Sequence, residues 1–485
     1  MEFTVIGCDS NSDIVSNLSK QMPVSHIDDI PSESIKAVKE KHKELHKSEI
    51  IFVENIKELE DCDIFIFCID TPIDRNKNPD IERLSEAVDN FKNNIIPKTK
   101  TAGKKPLVIL ESTTYPGCNR ELFADDKFKN DNSSDLDFYL VHSPERINPG
   151  EKNTDISSVI KVVGGFDDES IILGYYFYKT LINCQKVQEN FDPNSRKASL
   201  KNSRYKTHYE TKIDVETAIK TERLKNISVY KNGKYRTVRM VSSLEVAEMT
   251  KLLENIYRSV NIALSGELLM LCNKMAINFW RVVDLAKTKP FGFEGFYPGP
   301  GYGGHCIPVD PYYLAWKARE YDVSHEFIEM AGQINDKLIN FTAEQIRKLI
   351  IRVNKHAKVP KILFVGVSYK ENVGDVREST ATRIIKILKK DNIEIEWFDP
   401  LVYNKLDLNT FAFYREESTP IEKIGALDKY DLIVLHTAHD ERYVNYDLIL
   451  GSRKPILDCR NYYDSAPKYN DIKKDNVHIL GVSAN

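Results

Sequence analysis

The 485-residue sequence has no CxxC pair among its eight cysteines, so neither a zinc site nor a disulfide framework is indicated. It has no apolar run near the roughly 20 residues needed to span a bilayer, and its opening, MEFTVIGCDS, lacks the form of a signal peptide. It also lacks a strong excess of either charge. A net charge of -4 gives no electrostatic reason to expect nucleic acid or an anionic membrane as a partner. What these absences leave is a reduced, cytoplasmic protein with no metal centre. Its 41 % apolar and 29 % charged content is ordinary for a globular chain, and its length is too great for one core.

Short apolar runs are abundant. Those at 3–7, 64–69, 107–110 and 139–142 read as buried parallel strands, with a helix over 81–94 between two of them. The pattern restarts at 361 with KILFVGVSY and continues through EIEWFDP, YDLIVLHTAH, KPILDCRN and VHILGV. Over 244–274 apolar residues recur at three- and four-residue spacing without a proline, which predicts one long helix. The expected fold class is α/β, with two Rossmann-like doubly wound domains joined by a long central helical segment. The expected boundaries are 1–185 for the first α/β domain, 186–239 for a solvated Lys- and Asn-rich insertion, 240–350 for the helical segment and 351–485 for the second α/β domain.

Four segments carry residues able to do chemistry. FYPGPGYGGHCIPVDPYYL (296–314) forms a tight glycine- and proline-rich loop whose bare backbone can approach a ligand, followed at once by Cys306 and Asp310. It reads equally as a rigid turn with a buried cysteine. On the long helix Lys251, Asn255 and Arg258 share one face at i, i+4 and i+7. Such a stripe is either solvated or, because its neighbours are strongly apolar, a buried face that needs partners. Thr71, Thr113 and Glu145 follow predicted strands of the first domain, where open parallel sheets bind ligands, although each could equally be a cap or turn residue. Lys370 and Arg377 follow the first strand of the C-terminal domain and suit phosphates.

Together PGPGYGGHCIPVDPYY, EMTKLLENIYRSVNIA, GVSYKENVGDVRES, VLHTAH and LDCRN resemble the UDP-glucose/GDP-mannose dehydrogenase family over nearly the whole chain outside the insertion. The likeness is nearest to its branch acting on UDP-N-acetylglucosamine or UDP-N-acetylmannosamine. The resemblance implies an NAD-dependent, four-electron oxidation of a UDP-N-acetylhexosamine to the uronic acid through a cysteine thioester. It implies Cys306 as nucleophile, and Lys251 with Asn255 at the oxyanion. Asp310 and Thr113 would position water or move a proton, and Glu145 would serve thioester hydrolysis. Arg146, Ile147, Lys251, Asn255, Arg258, Gly303 and Lys370 fall on positions that hold the nucleotide sugar; Thr71, Thr113 and Arg377 fall on positions that contact NAD. A homodimer or higher homo-oligomer through the central helix is implied in the same way.

One family feature is missing from its expected place. Such a chain begins with a strand, a GxGxxG loop and a helix that receives the cofactor pyrophosphate. Here FTVIGCDSN aligns better with the second strand, which makes Asp9 the acid for the adenosine ribose; HIDDIPSESI and the distance to Thr71 agree. On this alignment the chain starts roughly 25 residues late. A misassigned start, a gene fragment and a copy that no longer binds NAD all fit. The rival to an enzyme is therefore a silent homologue that binds UDP-sugar without NAD chemistry.

Overall fold

A computed structural model describes residues 4–20, 50–124, 136–147, 159–189, 238–353, 359–403 and 418–482. The chain divides into two compact units. Of the described residues, those within 4–15 and 50–254 form one, and those within 16–20 and 255–482 the other. The division falls inside a single helix, Leu244–Lys274, whose bounds agree with the sequence periodicity.

In the first unit, β1 (Val5–Cys8) pairs in parallel with β2 (Ile50–Val53), Val5 opposite Ile50. Asn11 caps the following α1 (Ser12–Ser19), its side-chain oxygen accepting from the amides of Asp13 and Ile14. A separate five-stranded sheet has the order β3-β4-β5-β6-β7. Its members are β3 (Ile64–Phe67), β4 (Leu107–Leu110), β5 (Tyr139–His142), β6 (Lys161–Gly165) and β7 (Val238–Met240). All pairs are parallel except β5 with β6. Every residue of β4 is buried, because helices cover both faces of a central parallel strand and leave no reason for polar alternation. Those helices are α2 (Glu82–Asn94), α3 (Ile96–Thr101), α4 (Cys118–Phe123) and α5 (Asp168–Glu189). Phe67, Phe91, Phe123 and Phe138 pack edge to face in the core, with Phe67 and Phe91 centroids 5.6 Å apart.

The first α/β region is thus two sheets. Among the described residues no strand pairs with β1 on the side away from β2, or with β3 on the side away from β4. Positions 190–237 of the expected insertion and the HIDDIPSESI segment lie outside the described residues. The strand β7, at the far end of that insertion, returns to the sheet beside β6.

The second unit begins within α6, the helix Leu244–Lys274, and continues through α7 (Phe279–Ala286), α8 (Asp310–Ala318) and α9 (Glu326–Val353). Its sheet is entirely parallel, in the order β10-β9-β8-β11-β12-β13. The strands are β8 (Lys361–Val365), β9 (Glu394–Phe398), β10 (Thr419–Pro420), β11 (Leu432–Leu435), β12 (Ile456–Asp458) and β13 (Val477–Ile479). The order reverses between β8 and β11, the point at which parallel sheets open a crevice beyond their carboxyl ends. The backbone passes closely there: Gly366 has φ +75°, and a Cβ on it would lie 2.2 Å from the Thr437 carbonyl oxygen.

Candidate active site

In the second unit the loop 298–304 lies against the segment after β8. Gly304 donates its amide to the Arg377 carbonyl at 3.2 Å, and a Cβ on Gly303 would meet the Glu378 carbonyl oxygen at 2.4 Å. Only glycine lets these two backbones approach. Asn335 from α9 clamps the loop, accepting from the Tyr302 amide at 2.7 Å and donating to its carbonyl at 3.2 Å. Cys306 follows, partly exposed, on a turn closed by the Asp310 amide donating to its carbonyl at 2.8 Å. Asp310 opens α8 and is buried, where the Asn255 side chain donates to its carboxylate. The structure therefore joins Asn255 to Asp310 and sets Cys306 one turn before that acid. Arg258 is exposed on the same helix. Arg377 pairs with Asp375, its Nη2 2.7 Å from Oδ2.

A cleft of about 480 Å³ opens beyond β8, β11 and β12, with Lys370, Arg460, Trp280, Tyr297 and Tyr462 in its wall. Two buried carboxylates hold the segments that follow the strands of this sheet. Asp399, at the end of β9, accepts from the amides of Val367 and Ser368 at 2.8 and 3.0 Å and faces His439 Nε2 at 3.0 Å. The Asn372 amide donates to His439 Nδ1, which leaves Nε2 as the proton donor to Asp399. Burial works against the charge on Asp399, but His439 and the two amides outweigh it and hold the carboxyl below its ordinary value. Asp458 accepts from the Arg460 and Tyr463 amides, each at 2.9 Å, and Arg460 Nε donates to the His436 carbonyl at 3.0 Å. Arg460, Trp280, Tyr297 and Tyr462 were not expected from the sequence, although the LDCRN segment holding Arg460 was.

In the first unit Thr71 and Thr113 meet: the Thr71 hydroxyl donates to the Thr113 carbonyl at 2.8 Å. The loop 112–119 is pinned by Glu248 of α6, which accepts from the Gly117 amide at 2.7 Å and from the Asn119 amide and side chain at 3.0 and 2.7 Å. Glu248 was also missed, though it sits one turn before Lys251. Lys251 is buried, and no carboxylate among the described residues pairs with it. Glu145 follows β5, its Oε1 accepting from the Arg146 and Ile147 amides at 2.6 Å each. The Arg146 guanidinium is occupied by Glu254 and the Ile160 carbonyl.

Residues after β1, β3 and β4 suit the ribose of a dinucleotide, while no GxGxxG loop for its pyrophosphate stands among the described residues of this unit. Asp9 stands exposed after β1, its Oδ1 accepting from the Asn11 amide at 2.8 Å; Thr71 and Thr113 crown the next sheet. No group of His, Cys, Asp and Glu among the described residues could hold a metal ion, and no described helix is long and apolar enough to cross a membrane.

A dinucleotide-type α/β unit and a second unit with a nucleotide-sized cleft and a thiol-bearing loop define an NAD-dependent dehydrogenase of nucleotide sugars. The chain belongs to the UDP-glucose/GDP-mannose dehydrogenase family. That family's NAD-binding domain matches residues 1–182, its central domain 245–337 and its UDP-binding domain 363–465. The chain is 31 % identical to the UDP-N-acetyl-D-glucosamine 6-dehydrogenase of Pseudomonas aeruginosa, over 81 % of this chain and 78 % of that one. It is 28 % identical to the UDP-N-acetyl-D-mannosamine dehydrogenase of Methanocaldococcus jannaschii, over 80 % and 71 %. In fold it is similar to the solved UDP-D-ManNAc dehydrogenase of Pyrococcus horikoshii, with a TM-score of 0.68 over 99 % of this chain and 94 % of that one, at 23 % identity.

Proposed function

We propose that the chain oxidises carbon six of a UDP-N-acetylhexosamine to the carboxylate through a thioester on Cys306. The observation that carries this reading is the buried Asn255–Asp310 pair with the Cys306 turn directly before it. Bound NAD would supply the hydride acceptor, one molecule for each of two oxidations. Asp9, Thr71 and Thr113 would hold it in the first unit, and Arg377 is the candidate contact in the second.

The residues do the rest. The UDP moiety suits the cleft, where Lys370 and Arg460 match the diphosphate and Trp280, Tyr297 and Tyr462 offer aromatic surface to the base. Gly303, Arg258 and the 146–147 backbone would line the sugar. Once the first oxidation has produced an aldehyde, the Cys306 sulfur adds to it, and Lys251 with Asn255 stabilises the oxyanion. One such donor is typically worth about 3 kcal/mol. Loss of a second hydride turns the thiohemiacetal into a thioester. Asp310 and Thr113 would orient water, Glu145 would take its proton, and the thiolate leaves as the acid forms. Cysteine suits both ends because it is a good nucleophile and a good leaving group.

The test is to incubate the full chain with NAD and each of UDP-N-acetylglucosamine, UDP-N-acetylmannosamine and UDP-glucose, following reduced-cofactor absorbance. Turnover with an N-acetylhexosamine donor supports the reading; sugar-nucleotide binding without turnover by any donor would establish a silent binder instead. Cys306→Ser is expected to bind the sugar nucleotide normally and form no acid. Full acid formation by that variant would remove the thioester.

The chain is also proposed to pair with a second copy along α6. Val246, Met249, Leu253, Tyr257, Leu264 and Leu271 are each 36–58 % exposed and fall on one stripe of that helix.

A further inference from the structure

One buried cation in the first unit has no part in the chemistry above. Lys161 opens β6, and extending the antiparallel register, in which Val141 faces Gly165 and His142 faces Gly164, sets it opposite position 145. Its side chain is 4 % exposed, with Nζ 3.1 Å from Glu111 Oε1 and 3.4 Å from Glu145 Oε2. The Tyr178 ring lies 5.0 Å away, and the Tyr178 hydroxyl donates to Glu111. Glu145 is therefore held at both oxygens, by two amides and by the ammonium, while 45 % of its side chain stays exposed.

We propose that Lys161 is the positioning residue of Glu145, fixing one carboxylate oxygen and keeping the group in the charged form that accepts a proton from water. This rests on the reading of Glu145 as the group serving thioester hydrolysis. The surroundings leave Lys161 few rivals. Burial, with the Glu111 charge, lifts the Cys68 thiol to about 12, and burial lifts the Tyr178 phenol, so both are neutral in the working range. His142 is pushed down to about 3 by burial and by Lys161 itself, and is neutral too. Arg146 is turned to Glu254. Among the described residues Glu111 alone competes with Glu145 for the ammonium. Burial opposes the charge on Glu145, yet Lys161 and the two amides bring its carboxyl below the ordinary value.

Two variants should act in opposite directions. Removing the cation in Lys161→Met raises the Glu145 pKa; removing the competing charge in Glu111→Gln lowers it. The carboxyl can be titrated by carbon-13 NMR in the full chain with labelled glutamate, its signal assigned by its loss in Glu145→Gln. The midpoint is expected to rise by about one unit in Lys161→Met, the low end for losing an adjacent opposite charge. It should fall in Glu111→Gln and stay near wild type in Lys161→Arg. Coincident midpoints in wild type and Lys161→Met, or shifts of one sign in both variants, would overturn the proposal. Should Lys161→Met fail to fold, Glu111→Gln and Lys161→Arg decide the matter by the same criteria. The acid limb of the pH profile for acid formation should follow the NMR midpoints. If the midpoints move while the limb stays, Glu145 loses its hydrolytic role and the Lys161 coupling stands.

Discussion

Glu248 shows how one side chain can fix a loop that carries chemistry. It offers its carboxylate to four donors, two of them the amides at and just after the Gly117 turn, where φ is +96°. Burial raises its carboxyl above the ordinary value, partly offset by those same donors. Truncation would leave the donors buried without acceptors, at about 1–3 kcal/mol for each one not rescued by water. Glu248→Ala is accordingly expected to lose about 3 kcal/mol in urea unfolding and to lower turnover by displacing Thr113. A variant with wild-type stability would show that the loop does not depend on this anchor.

At the scale of the element, α6 presents two faces. At 3.6 residues per turn, Val246, Met249, Leu253, Tyr257, Leu264 and Leu271 stack on one side, and Lys251 and Asn255 fall on roughly the opposite side. Its 31 residues span about 46 Å, long enough to carry both a pairing surface and a reactive stripe. Leu253→Glu should halve the mass measured by light scattering, with the monomer still folded. An unchanged mass would place the pairing surface elsewhere. This helix was legible in the sequence because periodicity is a local signal, and so were the strands 107–110 and 139–142, whose bounds need no adjustment. The three-residue β7 was not, since it is too short to show a period and stands beyond a long insertion. The Lys161, Glu111 and Glu145 cluster was equally invisible. Lys161 opens β6 while Glu111 and Glu145 follow β4 and β5, and only the sheet register brings them together.

Across the whole molecule, the dinucleotide and the UDP moiety of the proposed reaction draw mainly on different parts of the chain. Of the dinucleotide residues, Asp9, Thr71 and Thr113 belong to one compact unit and Arg377 to the other, which holds the whole of the cleft with Lys370 and Arg460. The sequence placed Asp9 and Lys370 after their strands by motif alone; the cleft around Lys370 needed the fold, because its aromatic walls come from residues 280, 297 and 462. Binding of the two ligands should therefore be separable by mutation. Asp9→Ala removes an exposed carboxylate suited to the ribose hydroxyls, a charged hydrogen bond worth about 1.5–3 kcal/mol. It should weaken NAD roughly tenfold or more while leaving UDP affinity within twofold. Lys370→Ala should do the reverse, because a single ammonium on a diphosphate is a charge-assisted contact of similar size. Calorimetric titration of each variant with each ligand gives the four affinities. Loss of both ligands in either variant would mean that the sites are not held independently, and an unchanged NAD affinity in Asp9→Ala would remove Asp9 from the dinucleotide site.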